Sequence, residues 1–407
     1  MSPVQAPAHK GPSQWPAITT ETLPWMTGAV LGSMTRRDQA AQRDTYKAAI
    51  TPAITKLDYA PSQEVAAAAE DAATEIARFD AELGAEIAPF SAILLRSESA
   101  ASSNIEQLTA SARSVALAEL GDVSKVNASL IAANTAAMQS AVALADKFDV
   151  DSILQMHHAL MKASDPQEAG KWRSQQVWIG GSSFGPSGAA FVPPHHERVP
   201  AAIDDLVAYM KRDDIPVLIQ IAIAHAQFET IHPFTDGNGR TGRALIHALL
   251  RGTGLTRNVT VPVSSGLLAD TDAYFDALTE YRDGDPEPII LATVTASFRA
   301  IANGRQLVAD LRRIRESWKE RIQARSHSAT WPIADLLLRQ PVVNAKVLNE
   351  QLGIRPTHVR RHMDVLAKAG VVQLTKVHPR GVFWRAQEVL DALDAFAINA
   401  GKRNRAH

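Results

Sequence analysis

His232, Asp236, Arg240 and Arg243 lie close together in the run Ile-His-Pro-Phe-Thr-Asp-Gly-Asn-Gly-Arg-Thr-Gly-Arg at 231–243. That set suits work on a polyphosphate. Two glycines and an asparagine, Gly237-Asn238-Gly239, favour a tight turn with positive φ angles whose backbone N–H groups point outward. The turn opens into a helical pattern, so free N–H groups and the positive end of a helix dipole make a seat for phosphate. Arg240 and Arg243 share one helix face and can reach successive phosphate groups. His232 is a candidate general base, and Asp236 offers a hard oxygen to Mg2+, which is commonly shared between one carboxylate and substrate phosphates.

The run resembles the signature of the Fic family, H-x-F-x-D/E-G-N-G-R-x-x-R, at His232, Phe234, Asp236, Gly237, Asn238, Gly239, Arg240 and Arg243. The resemblance implies transfer of AMP from ATP to a Ser, Thr or Tyr hydroxyl of a target protein. It assigns deprotonation of the target to His232, Mg2+ to Asp236 and the α/β phosphates to the Gly237-Asn238-Gly239 nest. Support of the leaving pyrophosphate falls to Arg240, the γ-phosphate to Arg243, and Phe234 becomes a buried anchor. The Doc branch, which phosphorylates, has Lys where this chain has Gly239, so the resemblance favours AMP transfer. Such chemistry asks the protein for positioning and charge stabilisation more than for covalent help.

Two apolar patterns must hold this loop. Upstream, Val217 to Phe228 reads as a buried helix; downstream, Leu245, Ile246, Leu249 and Leu250 repeat at helical spacing. Further upstream, Ser62 to Leu83 carries the stripe Val65, Ala69, Ala72, Ile76, Phe79 and Leu83, a core helix. Between Arg96 and Gln107, Ser103 and Glu106 form an S-x-x-E capping box that would start a helix. Ser102 and Glu106 also match the inhibitory pattern of many Fic proteins, S/T-x-x-x-E-G/N, with Gln107 in place of the last residue. By that resemblance Glu106 pairs with Arg243 and blocks the γ-phosphate position, and a Glu there can also orient water to remove AMP.

Gln176–Ile179 and Ala189–Val192 read as the strands of a β-hairpin flap around a Gly- and Ser-rich turn. In Fic proteins such a flap aligns the target backbone as an added strand. Trp178 and Phe191 either pack under the flap or clamp a target. His195-His196 has no helical spacing to a carboxylate, and no metal is expected there. Tyr274 is the best match to the tyrosine that relatives place near adenine, with Gln227 a second candidate; an aromatic at such spacing also suits core. His225 and His247 are expected to pack.

The chain of 407 residues has 46% hydrophobic residues, no cysteine and a net charge of −1. That excludes disulfides and thiol zinc sites and suits a globular protein of two or three domains. No run approaches eighteen apolar residues and the N-terminus lacks a basic region followed by an apolar one, so the expectation is a cytoplasmic protein without membrane attachment. From Trp331 onward there are twelve Lys and Arg against six Asp and Glu, leaving 30 against 37 in residues 1–330. There Asn344 can cap a helix to Gln351, Gly353 turns the chain, and Pro356 to Ala369 forms a second helix with Val359, Met363 and Leu366 inward. Strand-like runs at Val371–Val377 and Val382–Arg385 follow, which is the pattern of a winged helix-turn-helix. His358, Arg360, Arg361, Asp364 and Lys368 would face a DNA major groove, with Arg380 on the wing, or the module serves a protein contact or a homodimer. Lys402–Arg405 reads as a solvated tail.

The expected fold is mainly α, a Fic-type helical core with a β-hairpin flap plus a C-terminal winged helix-turn-helix domain. The divisions are a mobile tail (1–20), an N-terminal helical region with the inhibitory helix (21–150), the Fic core (151–303), a linking helix (304–330) with the stripe Leu307, Leu311, Ile314, Trp318 and Ile322, and the winged module (331–407). The expected function is autoinhibited protein adenylyltransfer with ATP as substrate and Mg2+ as cofactor. A nucleotide-sensing, DNA-binding transcription regulator and a transferase with another donor stay open.

Overall fold

The computed structural model describes residues 15–25, 44–84, 87–181, 184–378 and 381–401. Arg380, Lys402 to Arg405 and most of the tail at 1–20 lie outside them. The chain groups into two compact units that alternate along the sequence: one comprises 1–71, 172–238 and 273–292, the other 72–171, 239–272 and 293–407.

In the first unit, β1 (Thr19–Pro24) and β2 (Thr45–Ile50) pair antiparallel, Thr19 opposite Ile50. This corrects the expectation of helices from residue 21: the Thr residues of both strands with Tyr46 and Ile50 fit a pleated surface, and Ala48 and Ala49, on opposite faces of β2, are both buried. Trp15, expected in the tail, is buried against the rings of Tyr59 and Tyr281. The centre of this unit is α7 (Val217–Ile231), buried from Leu218 to Ile231, with α6 (Val199–Met210) packed beside it. Its β-branched and Ala residues leave no polar face, as expected of a helix enclosed on all sides. Among the described residues, the flap is one antiparallel bridge, Ile179 with Phe191. Beyond it Val192 O accepts from Ala49 N at 3.0 Å, so the returning segment is carried by β2. Trp178 packs on Trp25, and Phe191 lies under the Arg282 guanidinium. Both aromatics therefore pack.

The stripe Val65, Ala69, Ala72, Ile76, Phe79 and Leu83 is buried on α1 (Gln63–Gly84), as its spacing predicts, and the second unit is organised around the next helix, α2 (Ile87–Ile105). Phe90, Ile93 and Leu94 are buried, and then Ser97 to Asn104 is nearly all Ser and Ala. Those small side chains let α4 (Val126–Leu144) approach closely while their hydroxyls are used: Ser99 Oγ donates to Ile131 O at 3.0 Å, and Asn134 Nδ2 donates to Ser103 Oγ at 3.1 Å. With the turn that follows it to Lys147, α4 is by length and composition apolar enough to cross a membrane, which corrects the expectation that no run approaches that length; its Ser, Asn, Thr and Gln are spread among the apolar residues and hide the run in the sequence. It packs on α2, α3 (Ala112–Glu119) and α5 (Val150–Met161). The capping-box expectation fails. Because α2 begins at Ile87, Ser103 falls in its last turn and Glu106 just beyond its end.

The motif helix α8 spans Asn238–Gly252. It is followed by α9 (Val263–Leu268), α10 (Thr271–Arg282) and the long α11 (Glu287–Arg321), which starts seventeen residues before the expected linking helix at Gly304. Trp318 is buried and its Nε1 donates to Glu388 at 2.6 Å, so the end of α11 is packed rather than merely linking. Then come α12 (Thr330–Arg339), β3 (Val342–Asn344), α13 (Ala345–Leu352), α14 (Pro356–Lys368), β4 (Gln373–His378), β5 (Gly381–Arg385) and α15 (Gln387–Ala400). The strands form one antiparallel sheet in the order β3-β5-β4. Asn344 caps α13 through Val347 N, and Gly353 ends it at φ 66°, as its sequence predicts. Val359, Met363 and Leu366 are buried, while His358, Arg360, Arg361, Asp364 and Lys368 are exposed. His362 is buried with Nδ1 3.1 Å from Thr330 Oγ1.

Candidate active site

The boundary between the units falls inside the motif, between Asn238 and Gly239. On the first side, α7 ends on His232 in the left-handed region, φ 51° and ψ 61°, with its N–H bonded to Phe228 O. A non-glycine residue pays for that conformation in steric strain. Arg173 holds it there. This buried guanidinium donates from Nε to His232 O at 2.8 Å, from Nη2 to Ile231 O at 3.5 Å and to Pro194 O, and from Nη1 to Gln175 O at 3.1 Å. Burial lowers its pKa to about 10, so it remains charged at neutral pH. One cation thereby fixes the end of α7 and the exit of the flap together.

Phe234 is fully buried and stacked on Trp172 at 5.1 Å, an anchor as expected. Asn238 is a structural clasp: its Oδ1 accepts from Phe234 N at 2.8 Å and its Nδ2 donates to Phe234 O at 2.9 Å. Asp236 is exposed, and one of its oxygens accepts from Gly237 N at 2.6 Å. Gly237 has φ 78°, which a side chain would disfavour.

On the second side, Arg240 and Arg243 are both buried. Arg243 Nε donates to Ser102 Oγ at 3.0 Å, and Nη2 donates to Ser102 O and to Glu106 Oε1, each at 2.8 Å. The Glu106 carboxylate, about two-fifths exposed, lies over Gly239, where a β-carbon at that position would collide with it. The first turn of α8 thus already faces an anion, and a side chain at 239 would have to push the Glu106 carboxylate aside. Four residues before Ser102, Glu98 is fully buried; it accepts from His247 Nε2 at 2.7 Å, from Ser264 N at 2.8 Å and from Ser264 Oγ. Glu98 and Ser102 on α2, and Glu106 just past its end, therefore form one stripe against α8.

Gln107 follows with φ 60°, and Leu108 N closes the turn on Ser103 O at 3.0 Å. A left-handed residue is needed here, which gives a physical reason for Gly or Asn in the inhibitory pattern that the segment resembles.

Two predicted nucleotide contacts are placed differently. Tyr274 is buried, with its hydroxyl 2.8 Å from His225 Nε2, and Gln227 donates its amide to Pro52 O and accepts from the Tyr281 hydroxyl, both at 2.9 Å. Both serve the packing of the first unit. His225 and His247 pack as expected. Two residues of the site are not singled out by sequence reasoning. Arg173 is an isolated basic residue in a loop with no periodic signal, whereas Glu98, four and eight residues before Ser102 and Glu106, carries a usable one. At His195 and His196, where no metal is expected, a short 3-10 turn brings one donor atom each from His195, His196 and Glu197 within 4.8 Å of one another.

Residues 147–250 match the Fic/DOC family. The chain is 32% identical over 148 residues to a protein adenylyltransferase, fic-1, of Caenorhabditis elegans, covering 36% of this chain and 26% of the relative. It is 29% identical over 159 residues to a protein adenylyltransferase Fic of Nematostella vectensis, covering 38% of this chain and 34% of the relative. The matches therefore span about a third or less of these curated relatives. The crystal structure of a Fic family protein from Desulfovibrio desulfuricans superposes with a TM-score of 0.52 at 20% identity, covering 83% of this chain and 98% of that one. That likeness concerns the fold, and the fold is mainly helical and of the Fic type.

Proposed function

We propose that this chain is a protein adenylyltransferase held in check by Glu106. The observation that carries the reading is the Glu106 carboxylate seated over Gly239 and bonded to Arg243, in the first turns of a helix that opens from the signature loop. An anion site at a helix N-terminus with two buried arginines fits a polyphosphate. The exposed Asp236 carboxylate fits Mg2+, which would neutralise charge on the α and β phosphates.

In the proposed reaction the target hydroxyl oxygen attacks the α-phosphorus of ATP. The bond to AMP forms as the bridge to the β-phosphate breaks and pyrophosphate leaves. His232 takes the hydroxyl proton, and Arg173, by fixing the backbone of His232, sets where that base stands. Arg240 and Arg243 stabilise the departing phosphates. With Glu106 on Arg243, the γ-phosphate lacks its seat and the nucleotide cannot lie productively.

Replacing His232 with Ala should lower transfer of label from α-labelled ATP by roughly a hundred- to ten-thousandfold while ATP affinity stays within about threefold, because the base acts in the transition state. Equal loss of binding and transfer would contradict the assigned role.

A second activity is supported by α14. His358, Arg360, Arg361 and Lys368 are exposed on a helix that packs on α12 and α13 and is followed in the chain by strands of the β3-β5-β4 sheet, an arrangement suited to a winged helix docking on duplex DNA. Titration onto duplex DNA should weaken as salt rises, and Arg360→Ala should reduce the salt slope by about one. Binding indifferent to salt, or none, would remove this reading.

A further inference from the structure

We infer that a cavity of about 610 Å³ beside α2 is an effector site for a small, uncharged, mainly apolar molecule, and that its occupant releases Glu106 from Arg243. The regulatory half of this inference rests on the adenylyltransferase reading; the binding half does not.

The cavity lies within the second unit, where α2, α3 and α15 meet, and its walls include Ala100, Ala101, Asn104, Leu108, Ala116 and Ala397. Its volume falls in the range that holds small organic ligands, and mainly apolar walls with a few polar groups are the usual lining of such sites. Its chemistry selects against charge. Arg96 at the edge is already committed to both oxygens of Glu119 and to Arg339 O, and Asp394 already accepts from Ala112 N at 2.8 Å. Asn104 supplies a neutral donor and acceptor for one polar end of the ligand.

The coupling follows from the geometry of α2. Glu98, Ser102 and Glu106 face α8, whereas Ser97, Ala101 and Asn104 lie on a different face and line the cavity. Upstream, the helix is pinned by the fully buried Glu98 on His247 and Ser264. Further along, Arg243 holds Ser102 and Asn134 holds Ser103, but past Ser103 the helix end rests on the Glu106–Arg243 pair and the backbone bonds of its own turn. Glu106 is partly exposed, Gln107 is strained at φ 60°, and the next residue, Leu108, lines the cavity. A molecule that displaces Leu108 must open the turn closed by Leu108 N on Ser103 O, which lets Gln107 leave the left-handed region and carries Glu106 off Arg243. The occupant acts on the end of α2 and leaves its pinned half in place.

The uncharged fluorophore 1-aminoanthracene, titrated onto the full chain, tests the site. Saturation at one probe per chain is expected, with affinity at least tenfold lower in both Ala397→Phe and Ala116→Leu, two fillings from different helices whose folding is checked by melting. Absence of one-to-one binding, or equal binding to a folded filled variant, overturns the site. Hydrogen exchange tests the coupling without any assay of activity: probe should accelerate exchange at 103–108 and leave 90–98 unchanged, and identical exchange at 103–108 overturns it. Labelled ATP then relates the site to function, with an increase of severalfold expected for the parent plus probe and none for Glu106→Gly. A chain that fails to label even as Glu106→Gly sinks the transferase reading and leaves fluorescence and exchange to decide the cavity.

Discussion

Among the described residues, two that are not glycine stand at positive φ, His232 after α7 and Gln107 after α2, and they are held very differently. His232 is clamped. A buried guanidinium binds its carbonyl and that of Ile231, and the preceding helix is buried throughout. Gln107 is exposed and keeps its conformation through backbone bonds of its own turn, Gln107 N to Asn104 O and Leu108 N to Ser103 O. Equal local strain therefore serves two purposes. Where strain is over-determined by its surroundings it fixes the position of a base; where it is held only by its own turn it leaves a carboxylate ready to move.

The contrast is broken most severely by removing the clamp. Arg173→Met should cost about 3 kcal/mol of stability or more, because buried carbonyls lose a charged donor, and should lower transfer at least tenfold at temperatures where the fold persists. Arg173→Lys keeps the charge but loses the planar fork, so it should restore stability better than it restores transfer. Denaturant melts read beside single-turnover rates check both; a fully active Arg173→Met would show that His232 needs no clamp. A smaller effect sharpens the other side. Gln107→Gly removes roughly 1 kcal/mol of left-handed strain from the inhibited turn, which should lower labelling by the parent up to about fivefold. Unchanged or increased labelling would mean that the turn does not gate Glu106.

Much of this molecule is legible in its amino-acid sequence, and the reason is locality. The signature keeps its chemistry in consecutive residues, so the helix that opens from it can be placed from types and spacing alone, although only Gly237 takes a positive φ while Asn238 and Gly239 already belong to the helix. Asn344, Gly353 and the inward faces of α13 and α14 are equally legible, since caps and periodicity are local. The features that escape such reasoning depend on partners distant in sequence. Ser103 and Glu106 read as a helix start because their pattern is local, whereas α2 has already begun at Ile87. Tyr274 and Gln227 look available to a nucleotide, but His225, Pro52 and Tyr281 occupy them. Thr19–Pro24 and Thr45–Ile50 form strands only by pairing with each other across many residues. Arg173 and Glu98 are single charges whose importance lies entirely in the carbonyls, histidine and serine that converge on them.

The most direct test compares the unaltered chain with Glu106→Gly, using α-labelled ATP and Mg2+ and following label on the protein itself. Removing the carboxylate clears the space over Gly239 and frees Arg243 for the γ-phosphate, so labelling should rise at least tenfold, corresponding to about 1.4 kcal/mol of preference for the inhibited state. Equal labelling of the two chains, with ATP binding confirmed in both, would contradict the account: Glu106 would then be a structural partner of Arg243 and not its guard.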